Sequence, residues 1–173
     1  MQLLVFSLCG EEYAVKLIDI REIIHTPALT LVPNVPHGVK GIANLRGKVV
    51  TVIDLGTLLH LASKEGQEKQ HVIVTERNGE LFGILVDTVV GVLRTSTQFL
   101  RNAPELLSAK LESTYVLGVL VIANAGKQPT HAAAETSPGT DTALQAERMI
   151  LFLNLQQVVD SLLSAPPLSH TVP

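Results

Sequence analysis

The chain repeats itself in order. Gly10-Glu11-Glu12-Tyr13-Ala14-Val15 aligns with Gly79-Glu80-Leu81-Phe82-Gly83-Ile84, and 79 minus 10 gives an offset of 69 residues. The same offset pairs Leu17, Ile20, Ile23 and Ile24 with Val86, Val89, Val92 and Leu93. Further on, Gly41-Ile42 matches Gly118-Val119, and Val52-Ile53-Asp54-Leu55 matches Leu151-Phe152-Leu153-Asn154-Leu155 with one residue of slack. Ordered repetition restricts a chain to architectures built from related units. Each half reads as hairpin, short helix, hairpin, short helix. Apolar strands spaced by glycine can align by chance, but a run of matches at one offset favours two related small barrels sharing a core, since closure removes exposed edges.

The local pattern is predominantly β. Short, β-branched segments occupy residues 3–8, 12–16, 39–44, 48–54, 71–76, 81–86, 116–123 and 149–154. Cys9-Gly10 and Asn78-Gly79 punctuate them, the second being a strong hairpin signal. Helical patterns are short, at Leu17 to Ile24, Gly56 to Leu61 and Leu155 to Leu163. The apolar fraction is 46% but aromatics are only 3%, so the core is built from Val, Ile, Leu and Ala. A length of 173 residues suits one domain over residues 1–165 made of two intertwined barrel subdomains, with a disordered tail at 166–173. Residues 125–147 hold 15 Ala, Gly, Pro, Ser or Thr and one large apolar side chain, Leu144. Such a segment buries too little surface to offset its ordering entropy, and a flexible insertion is expected there. In the repeat it falls where the first half has a tight turn at Arg46. It reads as a tolerated insertion or as a partner-specific loop.

Several function classes find no support. The net charge of −3, with 13 basic residues scattered along the chain, offers no basic stripe for nucleic acid. The single cysteine, Cys9, excludes an intramolecular disulfide and fits a reducing compartment. Leu3 to Cys9 lacks the positive region and small residue of a lipoprotein signal and reads as a first strand. No apolar run approaches the roughly 18 residues of a membrane helix, so a cytoplasmic protein without membrane insertion is expected. The six histidines (His25, His37, His60, His71, His131 and His170) show no metal-ligand spacing, and no metal or cofactor is expected. Ser7, Ser63 and Ser96 lack a nucleophile-elbow setting, and nucleotide-binding glycine motifs are absent. Asp54 and Asp87 end apolar strands, where a carboxylate commonly caps the following helical turn.

Recognition rather than catalysis is the better reading of Gly41-Ile42-Ala43-Asn44-Leu45-Arg46-Gly47-Lys48-Val49-Val50-Thr51-Val52-Ile53-Asp54-Leu55. It reads as two core strands joined by a polar turn, with Gly47, and Asn44 more readily than most residues, able to take φ > 0. An arginine is displayed at its tip. This stretch resembles the signature of CheW-type chemotaxis coupling domains. Phe82-Gly83-Ile84-Leu85-Val86-Asp87 with Val89 and Val92, and the N-terminal Phe6, Tyr13, Ala14 and Val15, resemble the same family. The resemblance covers roughly residues 3–123 and 148–163.

The resemblance implies a mainly β fold of two pseudo-symmetric small SH3-like β-barrel subdomains sharing a core, with short helices. It implies a non-enzymatic adaptor that couples the cytoplasmic tip of a methyl-accepting chemoreceptor to the regulatory domain of a CheA-type histidine kinase, with contact through strand edges near residues 39–53. By the same resemblance, Glu22 and Arg46 approach each other and shape the partner surface. The apolar residues around Glu22 place it on a short helix, and a partly buried, bidentate Glu22–Arg46 pair is the expectation. The candidate partner-binding residues are Glu22, Asn44, Leu45, Arg46 and Gly47, with Ile18, Ile20 and Val86. Thr51 stands where the family often has proline, and Gly56 where a basic residue commonly follows Asp-Leu. These departures leave open an adaptor of a pilus-motility or other chemosensory-like system. The rivals from other classes are a small hydrolase-like enzyme using His60, Asp54 and Cys9, and an RNA-binding barrel.

Overall fold

The computed structural model describes residues 1–62, 71–102, 114–123 and 147–165. The expected insertion at 125–147 (apart from Glu147, which begins a strand) and the expected tail at 166–173 lie outside the described residues, as do His131 and His170. Eleven strands are described: β1 (Gln2–Leu8), β2 (Glu11–Lys16), β3 (Glu22–His25), β4 (Val39–Leu45), β5 (Lys48–Asp54), β6 (His71–Arg77), β7 (Glu80–Val86), β8 (Thr88–Arg94), β9 (Leu100–Arg101), β10 (Val116–Ala123) and β11 (Glu147–Leu153). Helices α1 (Leu55–Leu58) and α2 (Leu155–Leu163) follow β5 and β11.

The strands form a six-stranded sheet, ordered β8-β1-β2-β11-β10-β9, and a five-stranded sheet, ordered β3-β6-β7-β5-β4. The first hairpin of each half is exchanged between them. Hairpin β1–β2 joins strands of the second half, and hairpin β6–β7 joins strands of the first. The joints correspond one to one. β1 pairs antiparallel with β8 as β6 does with β3, and β2 pairs parallel with β11 as β7 does with β5.

The repeat extends to fine detail. Asp54 caps α1 by accepting the Thr57 N–H at 3.2 Å, and Asn154 caps α2 by accepting that of Gln157, also at 3.2 Å. Both caps leave side-chain oxygens on amides that a helix end cannot otherwise satisfy. Asp87 differs, because a strand rather than a helix follows it. Its carboxylate instead accepts the Cys9 N–H at 2.6 Å, bracing the β1–β2 turn. Gly41 and Gly118 sit at matching bulges in β4 and β10, and a Cβ on either would lie 2.5 Å from a backbone carbonyl oxygen, of Thr30 or Arg101. The close passage of another backbone segment, rather than turn geometry, demands glycine at both positions.

Residues 17–24 depart from the expected helix. A 3-10 turn covers only Leu17–Asp19, after which Glu22–His25 is a strand. The cause is tertiary. β3 finds β6 as a neighbour, with the Arg21 N–H donating to the Val74 carbonyl at 2.8 Å, and the β-branched Ile23 and Ile24 suit the extended state. The matching segment of the second half is likewise a strand, β8. Each half therefore runs hairpin, strand, hairpin, helix.

Three apolar clusters follow from strand alternation. Val50, Val52, Val72, Val74, Leu85 and Ala43 fill the five-stranded barrel, while Leu3, Val5, Ala14, Leu120, Ile150 and Phe152 fill the six-stranded one. The opposite faces of both sheets meet in the largest cluster. Leu4, Phe6, Tyr13 and Val15 there pack with Ile53, Ile73, Phe82, Ile84 and the apolar faces of both helices.

Gly41→Ala and Gly118→Ala should each lower unfolding stability in urea by about 2 kcal/mol or more, because the intruding atom meets rigid backbone. Gly47→Ala, at φ +83 but facing open space, should cost only roughly 1 kcal/mol. Burial, reinforced by Glu11 and Cys9, pushes the Tyr13 phenol from 10.0 up to about 12. The folded state then holds a proton that the unfolded chain releases, so Tyr13's contribution is intact below pH 10 and is lost as pH rises through about 12. Ultraviolet titration of a Tyr115→Phe variant, which leaves Tyr13 as the sole tyrosine, should follow that late ionisation together with unfolding.

Candidate partner-recognition corner

The β4–β5 turn carries the corner. Arg46 and Gly47 take φ of +52 and +83, the pair of positive values that a two-residue type I′ hairpin requires. The Cys9-Gly10 and Asn78-Gly79 turns have the same signs. Arg46 therefore occupies the left-handed position that the sequence offered to Asn44. Asn44 serves differently, its Oδ1 accepting the Gly47 N–H at 2.8 Å and locking the turn from inside. Leu45 packs partly against the cluster inside the five-stranded barrel.

The structure brings Glu22 and Arg46 together. Arg46 Nη2 donates to Glu22 Oε2 at 2.8 Å. Glu22 sits on β3 and Arg46 beside β4, the two edge strands of the five-stranded sheet. The pair thus reaches across the seam where the sheet curls on itself. It differs from the expected bidentate, partly buried pair on a helix: one nitrogen engages one oxygen, and the Arg46 side chain is 77% exposed. A guanidinium has five N–H donors. Among the described residues Glu22 takes one, so the rest of a planar cationic fork is presented outward, held at a defined angle.

The remaining candidates divide. Ile18 is 89% exposed, in the turn after β2, and is free to contact a partner. Ile20 packs partly against the central cluster, so it offers little surface. Val86 offers none. It ends β7 fully buried between the two sheets, and its place in the partner-binding set is corrected to a core role. Alternation explains this, because Phe82, Ile84 and Val86 share the face turned to the shared core. Val49 was not singled out, yet it is 65% exposed one residue beyond Lys48. The β-branched run Val49–Ile53 hid it, since an unbroken apolar run carries no in–out signal. Beside it, Arg21, Lys48, Thr51, Glu76 and Glu80 line an open groove of ~400 Å³ of mixed charge.

The residues proposed for hydrolysis have other occupations. Cys9 turns β1 into β2, Asp54 caps α1, and the His60 ring lies 5.8 Å from that of His37. Among the described residues no group of three or more His, Cys, Asp or Glu is gathered for a metal, and no helix is long and apolar enough to cross a membrane.

The two-sheet, double-barrel fold defines the class, a scaffold-type module. A family model for the CheW-like domain matches residues 2–163, and the chain belongs to that family. It is 33% identical to the chemotaxis protein CheW of Klebsiella aerogenes over 118 residues, spanning 68% of this chain and 70% of that one. It is 30% identical over 121 residues to the probable chemotaxis protein CheW of Rhizobium etli, spanning 70% and 77%. It also matches Protein PilI of Pseudomonas aeruginosa, 30% identical over 50% of this chain and 49% of that one. Among solved structures it resembles the scaffolding protein TtCheW of Thermoanaerobacter tengcongensis, with a TM-score of 0.66, 25% identity, and 89% and 88% coverage. The chain is a chemotaxis coupling adaptor of the scaffold type.

Exposed ion pairs contribute about 0.2–1 kcal/mol. A double-mutant cycle on Glu22→Ala and Arg46→Ala should therefore give a coupling in that range, with little change in thermal midpoint. The Arg77–Asp160 pair, bidentate at 2.8 and 2.7 Å between β6 and α2, should give a larger coupling in the same assay.

Proposed function

We propose that this adaptor acts by holding a CheA-type histidine kinase, through its regulatory domain, to the cytoplasmic tip of a methyl-accepting chemoreceptor. Binding both at once converts their encounter into an intramolecular one and raises the effective concentration of each for the other. No covalent chemistry is required, and the protein acts on the cytoplasmic side, at the receptor arrays. The observation that carries this reading is the Arg46–Glu22 corner, a fixed cation projecting from a tight turn beside the edge strand β4. β4 is an edge strand of its sheet, bridged on its outer side at Ile42 by Thr30, and edge strands are where strand-to-strand docking takes place. The kinase domain is the partner proposed for this edge, near residues 39–53, and Arg46, with Asn44, Leu45 and Gly47 forming its turn, sets the register of that contact. Ile18 supplies an apolar contact outside the corner.

The likeness to Protein PilI favours one second reading, an adaptor of the same kind in a pilus-motility or other chemosensory-like system. Thr51, paired on both sides within β5, and Gly56, buried in α1, are where such a specialisation would be read.

The test is direct binding of the purified full chain to a cognate kinase regulatory domain and to a receptor signalling fragment. Arg46→Ala and Glu22→Ala should stay folded and lose about tenfold or more in affinity for at least one of the two. Full affinity for both partners in both variants removes the corner from the interface. Failure of the unmodified chain to bind either partner overturns the coupling reading.

A further inference from the structure

Four histidines lie among the described residues, and each has another beside it. The closer pair is His25 and His71, whose ring centroids are 5.0 Å apart with planes inclined by 35°. Backbone register sets this pair, because His25 on β3 is the direct cross-strand partner of His71 on β6. Directly opposed residues in an antiparallel pair project from the same face, so the two rings meet without any loop having to fold over them. His25 is exposed, while His71 Nδ1 is buried and has no hydrogen-bond partner. A buried polar nitrogen without a partner calls for an explanation, and a ligand on that face would supply one.

We propose that His25 and His71 form a two-imidazole site for a late first-row divalent cation: Cu²⁺, Ni²⁺ or Zn²⁺. Imidazole nitrogens bind such ions at about 2.0–2.1 Å. Two of them at tetrahedral or square-planar angles then stand roughly 2.8–3.4 Å apart, which places ring centroids about 4.5–5.2 Å apart. The observed 5.0 Å separation falls within that span. No third His, Cys, Asp or Glu is gathered there among the described residues, so the ion keeps open positions for water or for a partner's donor. A site of this kind binds modestly, with Cu²⁺ held most tightly. The His37–His60 pair, at 5.8 Å, lies outside the span, and its rings sit on loops rather than on paired strands. A bound ion would clip β3, a four-residue edge strand, to β6, its neighbour in the sheet. β3 also carries Glu22, three residues before His25, so occupancy would steady the Arg46 corner. That consequence rests on the coupling reading above, whereas metal binding itself does not.

The experiment titrates the full chain with CuCl₂, NiCl₂ and ZnCl₂ by calorimetry, with Cu²⁺ electron paramagnetic resonance in parallel. One site is expected, tightest for Cu²⁺, with a two-nitrogen signature and a metal-dependent rise in thermal midpoint. His25→Ala and His25→Gln, both at an exposed position, should weaken it about tenfold or more, while His37→Ala and a His131→Ala/His170→Ala double variant leave it in place. Binding unchanged in the His25 variants, binding lost only in the other variants, a one-nitrogen signature, or no binding at millimolar metal would each overturn the site. Kinase and receptor affinities are measured separately without metal, so failure of the site and failure of the coupling reading are told apart.

Discussion

The apolar layer between the two sheets holds side chains that neither half of the sequence could bury alone. Leu4, Phe6 and Tyr13 come from the first hairpin, Phe82, Ile84 and Val86 from its repeat, and each hairpin is hydrogen-bonded into a sheet whose other strands come from the opposite half. Full burial of one such side chain stabilises by roughly 1.5–3 kcal/mol. Separating the halves would expose the layer and break both parallel joints, β2 with β11 and β5 with β7. The two barrels therefore share one apolar layer, and the Arg46–Glu22 corner is built on them. The Arg46 turn projects from β5, a strand paired on both sides, so its base cannot drift.

Ion pairs on this molecule divide by what they join. Arg77 grips Asp160 with two nitrogens and ties β6 to α2, and Arg148 grips Glu12 in the same manner, reinforcing a parallel joint whose ladder covers only two residue pairs. Those are fastenings. The Glu22–Arg46 contact uses one nitrogen, lies mostly in solvent and spans a seam rather than a joint. It is therefore a weak fastening but an effective aim, since it limits the directions in which the arginine can point at small energetic cost. Under the proposed coupling role such a contact leaves the guanidinium open to a partner, because a stronger internal pair would compete for the same donors.

Legibility in the sequence followed the physics of each signal. Eight of the eleven described strands were readable because β-branched runs between turn residues have few alternatives, whereas β3, β8 and β9 were not read as strands, and α2 was readable to the residue from its amphipathic pattern. Residues 17–24 misled because isoleucines spaced three and four apart satisfy a helical stripe as well as they fill an edge strand. Only β6, nearly fifty residues later, decides between them. At the corner, the sequence pointed to Glu22 and Arg46 through a family resemblance, and the approach of the two side chains follows from the curl of the sheet. Val86 was misplaced and Val49 overlooked for one reason: an unbroken apolar strand does not say which of its faces is covered.

What the amino-acid order determines by itself is local. It sets where the chain can turn, which segments extend, where helices are capped, and that the pattern occurs twice. Those features depend on neighbours a few residues away, through steric limits on φ and ψ and short-range hydrogen bonds. The exchange of hairpins, the face each strand buries, the meeting of Glu22 with Arg46 and the pairing of His25 with His71 depend on contacts between residues 24 to more than 60 positions apart. Such contacts form only when the burial of whole sheet faces outweighs the entropy of closing the chain, so only the tertiary structure could decide them.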